Sequence, residues 1–226
     1  VLELSSFQLA DWERGTHVAV VLRIATDHLD YHGSREAYVA AKGRIAAGQG
    51  PDDWLLVDDD CPTARSLAAG SRAQVLRFST EHEVEAGAWV SAGRLHTRLP
   101  GGQAEAVCPL EAVRLRGRHN WSNVAAAAAA ARVLGVGAGR LGTAIGGFTG
   151  LPHRLQPVAC RRGVTYYDDS LATTPALAAA ALAAFNEPVV LIAGGSSKQA
   201  DFAPLARAVA AARVRAVAKP WIRTPC

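Results

Sequence analysis

Acids, imidazoles and a single lysine crowd into the stretch Ile24-Ala-Thr-Asp-His-Leu-Asp-Tyr-His-Gly-Ser-Arg-Glu-Ala-Tyr-Val-Ala-Ala-Lys42. Carboxylates and imidazoles hold cations or move protons, and a lysine amine kept neutral can act as a nucleophile or base. Asp27, His28 and Asp30 follow the apolar run Val18–Ile24, which reads as a buried strand. Alone, His28 would be read as a satisfied structural imidazole; with Asp27 and Asp30 beside it, it reads as a site residue. Tyr31 and His32 read as packing or surface residues. Gly33 turns the chain and Ser34 is a natural N-cap for a helix running to about Ala47. Tyr38, Ala41, Lys42 and Ile45 share one face of that helix, so Lys42 is the odd member of an apolar stripe. Burial there would favour its neutral amine. The unit delivers its reactive groups at the carboxyl end of a strand, where open α/β sheets bind ligands.

Other strand and helix ends carry similar chemistry, each with a plain structural alternative. Glu3 lies in the strand-like Val1-Leu-Glu-Leu4, where it either meets a cation or a metal or sits at an exposed strand end. In His119-Asn-Trp-Ser-Asn123, Asn120 is a natural helix cap. Capping does not explain Asn123, and two carboxamides can also read a purine edge. Arg154 is a surface charge or a phosphate clamp. Tyr167-Asp-Asp-Ser170 caps the element that follows, or contacts ribose or metal, and Thr173-Thr-Pro175 starts a helix. Gly194-Gly-Ser-Ser-Lys198, between a buried strand and a helix, either binds an anion or is a simple loop. Asp58-Asp-Asp60 reads as a solvated strand end that caps the next helix rather than as a metal cluster. Gly137-Ala-Gly-Arg-Leu-Gly142 matches G-x-G-x-x-G but follows a helix, and no acid occurs over 143–162, so it reads as a helix–helix turn. No G-x-x-x-x-G-K-[ST] occurs, so this chain does not cradle a triphosphate in the P-loop manner by itself.

The elements that must position these residues alternate in α/β fashion. Strands are expected at Trp54–Val57, Gln74–Phe78, Val189–Ala193 (fully buried) and Val214–Ala218. Antiparallel strands are expected over Glu85–Pro109, and a hairpin at Gln156–Cys160 and Val164–Tyr167. Helices are expected at Cys61–Ala69, along the alanine run to Leu134, at Pro175–Phe185 and at Phe202–Ala211. The unperiodic Phe148–Arg154 marks a domain boundary, giving units 1–150 and 151–226. Half of the 226 residues are hydrophobic, enough for a sizeable core. The net charge of +4 is spread out, which suits anionic ligands such as nucleotides and gives no sign of nucleic-acid binding. The four cysteines lie far apart and read as reduced thiols of a cytoplasmic protein. No signal peptide or membrane-spanning run stands out. With no methionine and abrupt ends, the chain reads as part of a longer protein.

In this order the motifs resemble the Mur ligases, and among these the branch that adds D-glutamate. The resemblance rests on Val1-Leu-Glu-Leu-Ser-Ser-Phe-Gln-Leu9, Asp27-His-Leu-Asp30, Tyr38-Val-Ala-Ala-Lys42, Gly117-Arg-His-Asn-Trp-Ser-Asn123, Phe148-Thr-Gly-Leu-Pro-His-Arg154, Asp168-Asp-Ser170 and Gly194-Gly-Ser-Ser-Lys198-Gln-Ala-Asp-Phe202. It covers residues 1 to about 210, is thin over 59–110 and fails at 219–226. It implies a P-loop-type central ATPase domain without its phosphate loop over 1–150, followed by the front of a Rossmann-like C-terminal domain over 151–226. The implied reaction activates the terminal carboxylate of UDP-N-acetylmuramoyl-L-alanine with ATP as an acyl phosphate, which the amine of D-glutamate then attacks. By the same analogy Glu3 and His28 bind magnesium, and Lys42 is carbamylated beside it. Asn120 and Asn123 lie at the adenine, and Arg154 and Asp169 contact the phosphates and ribose. Ser5, Thr173 and Lys198 contact substrate. A monomer is implied, and no activity is expected of these 226 residues alone. Leu171 departs from a common lysine and Arg23 from a common asparagine. Two other readings stand beside this one: a folylpolyglutamate-type amide ligase, and a degenerate nucleotide-binding module.

Overall fold

The computed structural model describes residues 1–25, 28–195 and 200–218. They form two compact units. The first comprises Val1–Val113 and Trp121–Gly147; the second comprises Arg114–Asn120 and the described residues from Phe148 onward.

The first unit opens with α1 (Ser6–Leu9), β1 (Val18–Val21), α2 (Leu29–His32) and α3 (Arg35–Gly43), the last prolonged by a 3-10 turn at Arg44–Ala46. Then come β2 (Trp54–Asp58), α4 (Pro62–Ser66), β3 (Gln74–Ser79), β4 (Gly87–Ser91), β5 (Arg94–Arg98) and β6 (Glu105–Pro109). Helices α5 (His119–Val133) and α6 (Ala138–Gly147) follow, with the first two residues of α5 grouped in the second unit. The six strands form one sheet in the order β1-β2-β3-β4-β5-β6. Neighbours pair in parallel from β1 to β4 and antiparallel from β4 to β6. The Glu85–Pro109 strands therefore extend the parallel sheet through β4, rather than forming a layer apart from it.

Leu55, Leu56 and Val57 of β2 are all fully buried, the continuous apolar run expected of a parallel strand covered on both faces. Tyr38 of α3 and Ala64 of α4 join Ala19, Val21, Leu55 and Val57 in one core cluster. In α5 the buried residues Ala125, Ala126, Ala128 and Ala129 fall at helical spacing on one face. Two glycines are dictated by close approach. A Cβ on Gly87, at φ 132°, would lie 1.8 Å from the Arg77 carbonyl oxygen across the β3–β4 pair. One on Gly142 of α6 would lie 2.5 Å from the Val107 carbonyl oxygen of β6. Gly137–Gly142 is thus a helix start packed on the sheet.

Three expectations change here. Val1–Leu4 is not a strand: among the described residues it pairs with no strand, and Val1, Leu2 and Glu3 are exposed. Extended chain becomes a strand only when its backbone groups find a partner. The Asp58–Asp60 run is not solvated either, and it caps no helix; Cys61 holds the cap position of α4, and its side chain makes no capping hydrogen bond. Asp60 instead accepts from the Thr80 amide at 2.7 Å and the Ser79 hydroxyl at 2.5 Å. Asp59 pairs with Arg77 at 2.5 Å and His82 at 2.8 Å. Asp58 is 1% exposed; its Oδ1 accepts from the Asp60 amide, and its Oδ2 finds no hydrogen-bond donor among the described residues. The Arg23 Nε lies 3.8 Å away.

The second unit adds a hairpin of β7 (Gln156–Arg161) and β8 (Val164–Asp168), turning at Arg162 and Gly163 as expected. After it come α7 (Pro175–Leu182), β9 (Val189–Ile192), α8 (Ala203–Ala211) and β10 (Val214–Ala218). Strands β9 and β10 pair in parallel, a right arrangement for a βαβ unit. The third change lies here: β9 is not fully buried, because Val190 and Ile192 are 63% and 67% exposed. Among the described residues its sheet has two strands and nothing covers that face.

Two outcomes follow from this packing. Gly87→Ala should cost about 3 kcal/mol of stability in urea unfolding, since both φ and the Arg77 carbonyl oppose a side chain; a loss under a third of that would contradict the geometry. Burial holds the Asp58 carboxyl above the usual carboxylate range, with Arg23 pulling it back. A pKa raised on folding penalises the folded state at pH above that value, and the penalty fades as pH falls through it. Asp58→Asn should therefore raise Tm at pH 7.5 by about 2–4 °C and bring a smaller gain near pH 4.

Candidate functional site

In the first unit the predicted residues gather around α1, α2 and α3. Ser5 caps α1 through a capping box: the Gln8 amide donates to the Ser5 Oγ at 3.3 Å, and the Ser5 amide donates to the Gln8 Oε1 at 2.9 Å. This explains the Ser-Ser-Phe-Gln spacing locally. The ring of Phe7, on this short helix, meets His28 at 4.8 Å, Tyr31 at 4.5 Å and His32 at 5.8 Å between centroids. His32 also bonds the buried Ser6 hydroxyl at 3.0 Å and packs on Tyr38 at 5.4 Å. The Lys42 ammonium nitrogen lies 5.8 Å from the centroid of that same Tyr38 ring. His28 and Lys42 thus share one aromatic patch.

Ser34 caps α3 as expected, accepting from the Ala37 amide at 3.1 Å. His28 is exposed and stands ahead of α2 in a left-handed conformation, φ 52°. Lys42 is half-buried rather than buried. Glu3 is exposed and Asp27 lies outside the described residues. Sequence reasoning missed Phe7, the residue that gathers the patch. Its partners lie over twenty positions away, and the only local signal was an aromatic ring on a short capped helix.

The second unit assembles another group. The Gly117–Asn120 turn is pinned by Arg116, which pairs with Glu187 at 3.1 Å and lies 4.6 Å from the Phe185 ring centroid and 5.3 Å from that of Tyr167. Gly117 has φ 95°, and a Cβ there would sit 2.7 Å from the His119 ring. Asn120 is inside the first turn of α5 rather than its cap. Its Nδ2 donates to the Arg116 carbonyl at 2.8 Å, so the carboxamide ties the helix start to the preceding turn. It also lies 3.2 Å from the His119 Nε2. Partial burial pushes the His119 pKa down, and the Asp169 charge pushes it back up. Asn123, in the first unit, follows one turn along α5 and is exposed. A hollow of about 170 Å³ lies between Arg118, His119, Ala180 and Ala183.

The open end of the hairpin, where β7 starts and β8 finishes, carries the other two nucleotide candidates. The exposed Arg154 donates to the Leu171 carbonyl at 3.3 Å, and Asp169 accepts from the Leu155 amide at 3.0 Å. Thr174, not Thr173, caps α7, and Thr173 is left exposed. Lys198 lies outside the described residues. Arg116 was not singled out from the sequence; its partner Glu187 is 71 positions away, so no local pattern could mark it. A groove of about 500 Å³ between α3 and α4, lined by Arg35, Val39 and Thr63 among others, contains none of the predicted residues.

Among the described residues no group of three or more His, Cys, Asp or Glu could hold a metal ion. Glu3 and His28 are both exposed, and a single carboxylate with a single imidazole is a donor set for a cation that keeps most of its water. Magnesium behaves in that way. No helix among the described residues is long and apolar enough to cross a membrane.

The sequence pattern of the Mur ligase middle domain matches residues 1–131. A UDP-N-acetylmuramoylalanine–D-glutamate ligase from Pelotomaculum thermopropionicum is 44% identical over 210 residues, covering 92% of this chain and 46% of the relative. The enzyme of the same name from Symbiobacterium thermophilum is 43% identical over 212 residues, covering 93% of this chain and 46% of the relative. The chain thus spans about half the length of the curated relatives it matches. Among solved structures, MurF from Acinetobacter baumannii superposes with TM-score 0.71 at 21% identity over 95% of this chain and 48% of that one. MurF ligase from Thermotoga maritima in complex with ADP does so with TM-score 0.61 at 18% identity, over 86% of this chain and 47% of that one. Those two likenesses concern the fold. With the middle-domain pattern running through more than half of its residues, the chain belongs to the Mur ligase family.

Proposed function

We propose that this chain is part of an ATP-dependent amide ligase that joins D-glutamate to UDP-N-acetylmuramoyl-L-alanine. The observation that carries the reading is 44% identity, over 92% of the chain, to a ligase of that name. On this reading residues 1–150 belong to the central ATPase domain and 151–226 to the front of the C-terminal domain. The protein acts in the cytoplasm as a monomer on small-molecule substrates.

The reaction asks for two things: anionic groups must approach each other, and an amine must reach an activated carboxyl. Glu3 and His28 would hold magnesium, which supplies charge neutralisation there when bound. The half-buried Lys42 side chain, set beside Tyr38, loses one proton to become the neutral amine and a second as that amine adds carbon dioxide, so a cation becomes a carbamate carboxylate. Asn120 and Asn123, a helical turn apart, face the purine edge. Arg154 holds phosphate oxygens in a fork that a lysine would not reproduce. Asp169 accepts from ribose hydroxyls, while Ser5, Thr173 and Lys198 contact the sugar-peptide substrate and D-glutamate. Support comes from the way the fold groups His28 with Lys42 in one unit, and Arg154 with Asp169 in the other.

The direct test is phosphate release by the complete protein with ATP, UDP-N-acetylmuramoyl-L-alanine and each of several amino acids. D-glutamate should be preferred; preference for L-glutamate on a folate acceptor would replace this reading with the folylpolyglutamate type. The 226-residue chain alone should release no phosphate in the same assay. In the complete enzyme Lys42→Ala should lose about 100-fold or more in turnover and recover in part with added acetate or formate. Unchanged turnover would remove the carbamate role.

A further inference from the structure

The turn that presents Arg154 is made of residues that resist its conformation. His153 has φ 61° and Leu155 has φ 44°, the left-handed region that a bulky side chain enters only at a cost. Something outside the turn must hold it there. Four contacts do so, all from the end of β8 and the stretch that leads on to α7. The His153 Nδ1 lies 2.7 Å from the Asp168 Oδ2. The Leu155 amide donates to the Asp169 Oδ1, the Leu171 amide donates to the His153 carbonyl at 3.3 Å, and the Arg154 guanidinium donates to the Leu171 carbonyl. Asp168 is itself fixed, since its other oxygen accepts from the Ser170 amide at 2.9 Å.

We propose that Asp168 is a positioning residue: by holding the His153 imidazole it locks the Leu151–Leu155 turn in its left-handed form and so sets where Arg154 points. The inference rests on the ligase reading, in which Arg154 meets the phosphates of ATP. It assigns no contact with nucleotide to Asp168 or His153. Both carboxylates of the Asp168-Asp169 pair then serve the turn. Asp169 grips it at Leu155 and Asp168 grips it at His153, one residue on either side of Arg154. The hydrogen bonds from His153 and Ser170 also hold the Asp168 carboxyl down at about 2, so the acceptor stays ionised throughout the working pH range. A neutral carboxamide at 168 could accept from His153 or from Ser170 with its single oxygen, but not from both.

The test has two arms. In the 226-residue chain, amide exchange at Leu155 and Leu171 should quicken about fivefold in Asp168→Ala and equally in His153→Ala, with the double variant no faster than either single one. In the complete ligase, Asp168→Ala should raise the KM for ATP about fivefold with kcat changed less than twofold, and Asp168→Asn should lie between it and wild type. Wild-type exchange in both single variants would overturn the lock. Faster exchange with an unchanged KM would overturn the positioning of Arg154. A fall in kcat alone, or a double variant worse than the sum, would overturn it as well. If the wild-type protein shows no ATP-dependent ligation, the ligase reading fails by itself, and the exchange arm still decides whether Asp168 locks the turn.

Discussion

A carboxylate taken out of water must find donors or destabilise the fold, and three of them in a row stand at the end of β2. The chain meets this demand by folding the end of β3 around them. Asp60 and Asp59 collect Ser79, Thr80, Arg77 and His82, all at the end of β3 or just beyond it. The carboxyl ends of two neighbouring parallel strands are thereby tied together by charge-assisted bonds. That edge of the sheet is also where the chain leaves β1 toward His28. Asp58, the most buried of the three, keeps one oxygen short of a donor, with Arg23 as a distant counter-charge. Ser79, His82 and Asp59 even line up in hydrogen-bond sequence like a nucleophilic triad. Yet the Ser79 hydroxyl is fully buried and gives its proton to Asp60, so the arrangement is architecture rather than chemistry.

The two units solve their local problems by the same device, a polar side chain reaching back to a turn that would otherwise be loose. In the first, Ser5 and Gln8 satisfy each other and let a four-residue helix stand, with Phe7 then free to gather the histidines. In the second, Arg116 lies over two aromatic rings and pairs with Glu187, so that Gly117 and His119 can pack closely. Neither unit buries its reactive groups deeply; each holds them near the surface on a stiffened support. Such placement favours ligands that bring their own charge and water.

Much of this was legible in the residues. Parallel strands announced themselves as apolar runs, Ser34 as a cap, Arg162-Gly163 as a hairpin turn, and Gly137 as the approach to a helix. What escaped the sequence were contacts between residues far apart along it. Asp58–Asp60 looks like exposed charge until β3 is laid beside it, because local pattern cannot tell a solvated acid from one with buried donors. Asn120 looks like a cap because type and position both fit, and only the preceding turn shows its amide donating backward. Val1–Leu4 has strand composition, but a strand is a property of two segments. Phe7 and Arg116 matter through partners more than twenty positions away, and no spacing rule reaches that distance.

The bare face of β9 has a practical side. Val190 and Ile192 leave a pair of branched aliphatic side chains exposed on a sheet that has two strands among the described residues, and Val158, Val164 and Tyr166 are exposed on the β7–β8 hairpin. Adjacent apolar groups of this kind attract one another between molecules as readily as within one. In concentrated solution these faces give the second unit a way to self-associate, and light scattering should grow with ionic strength as the modest positive charge is screened.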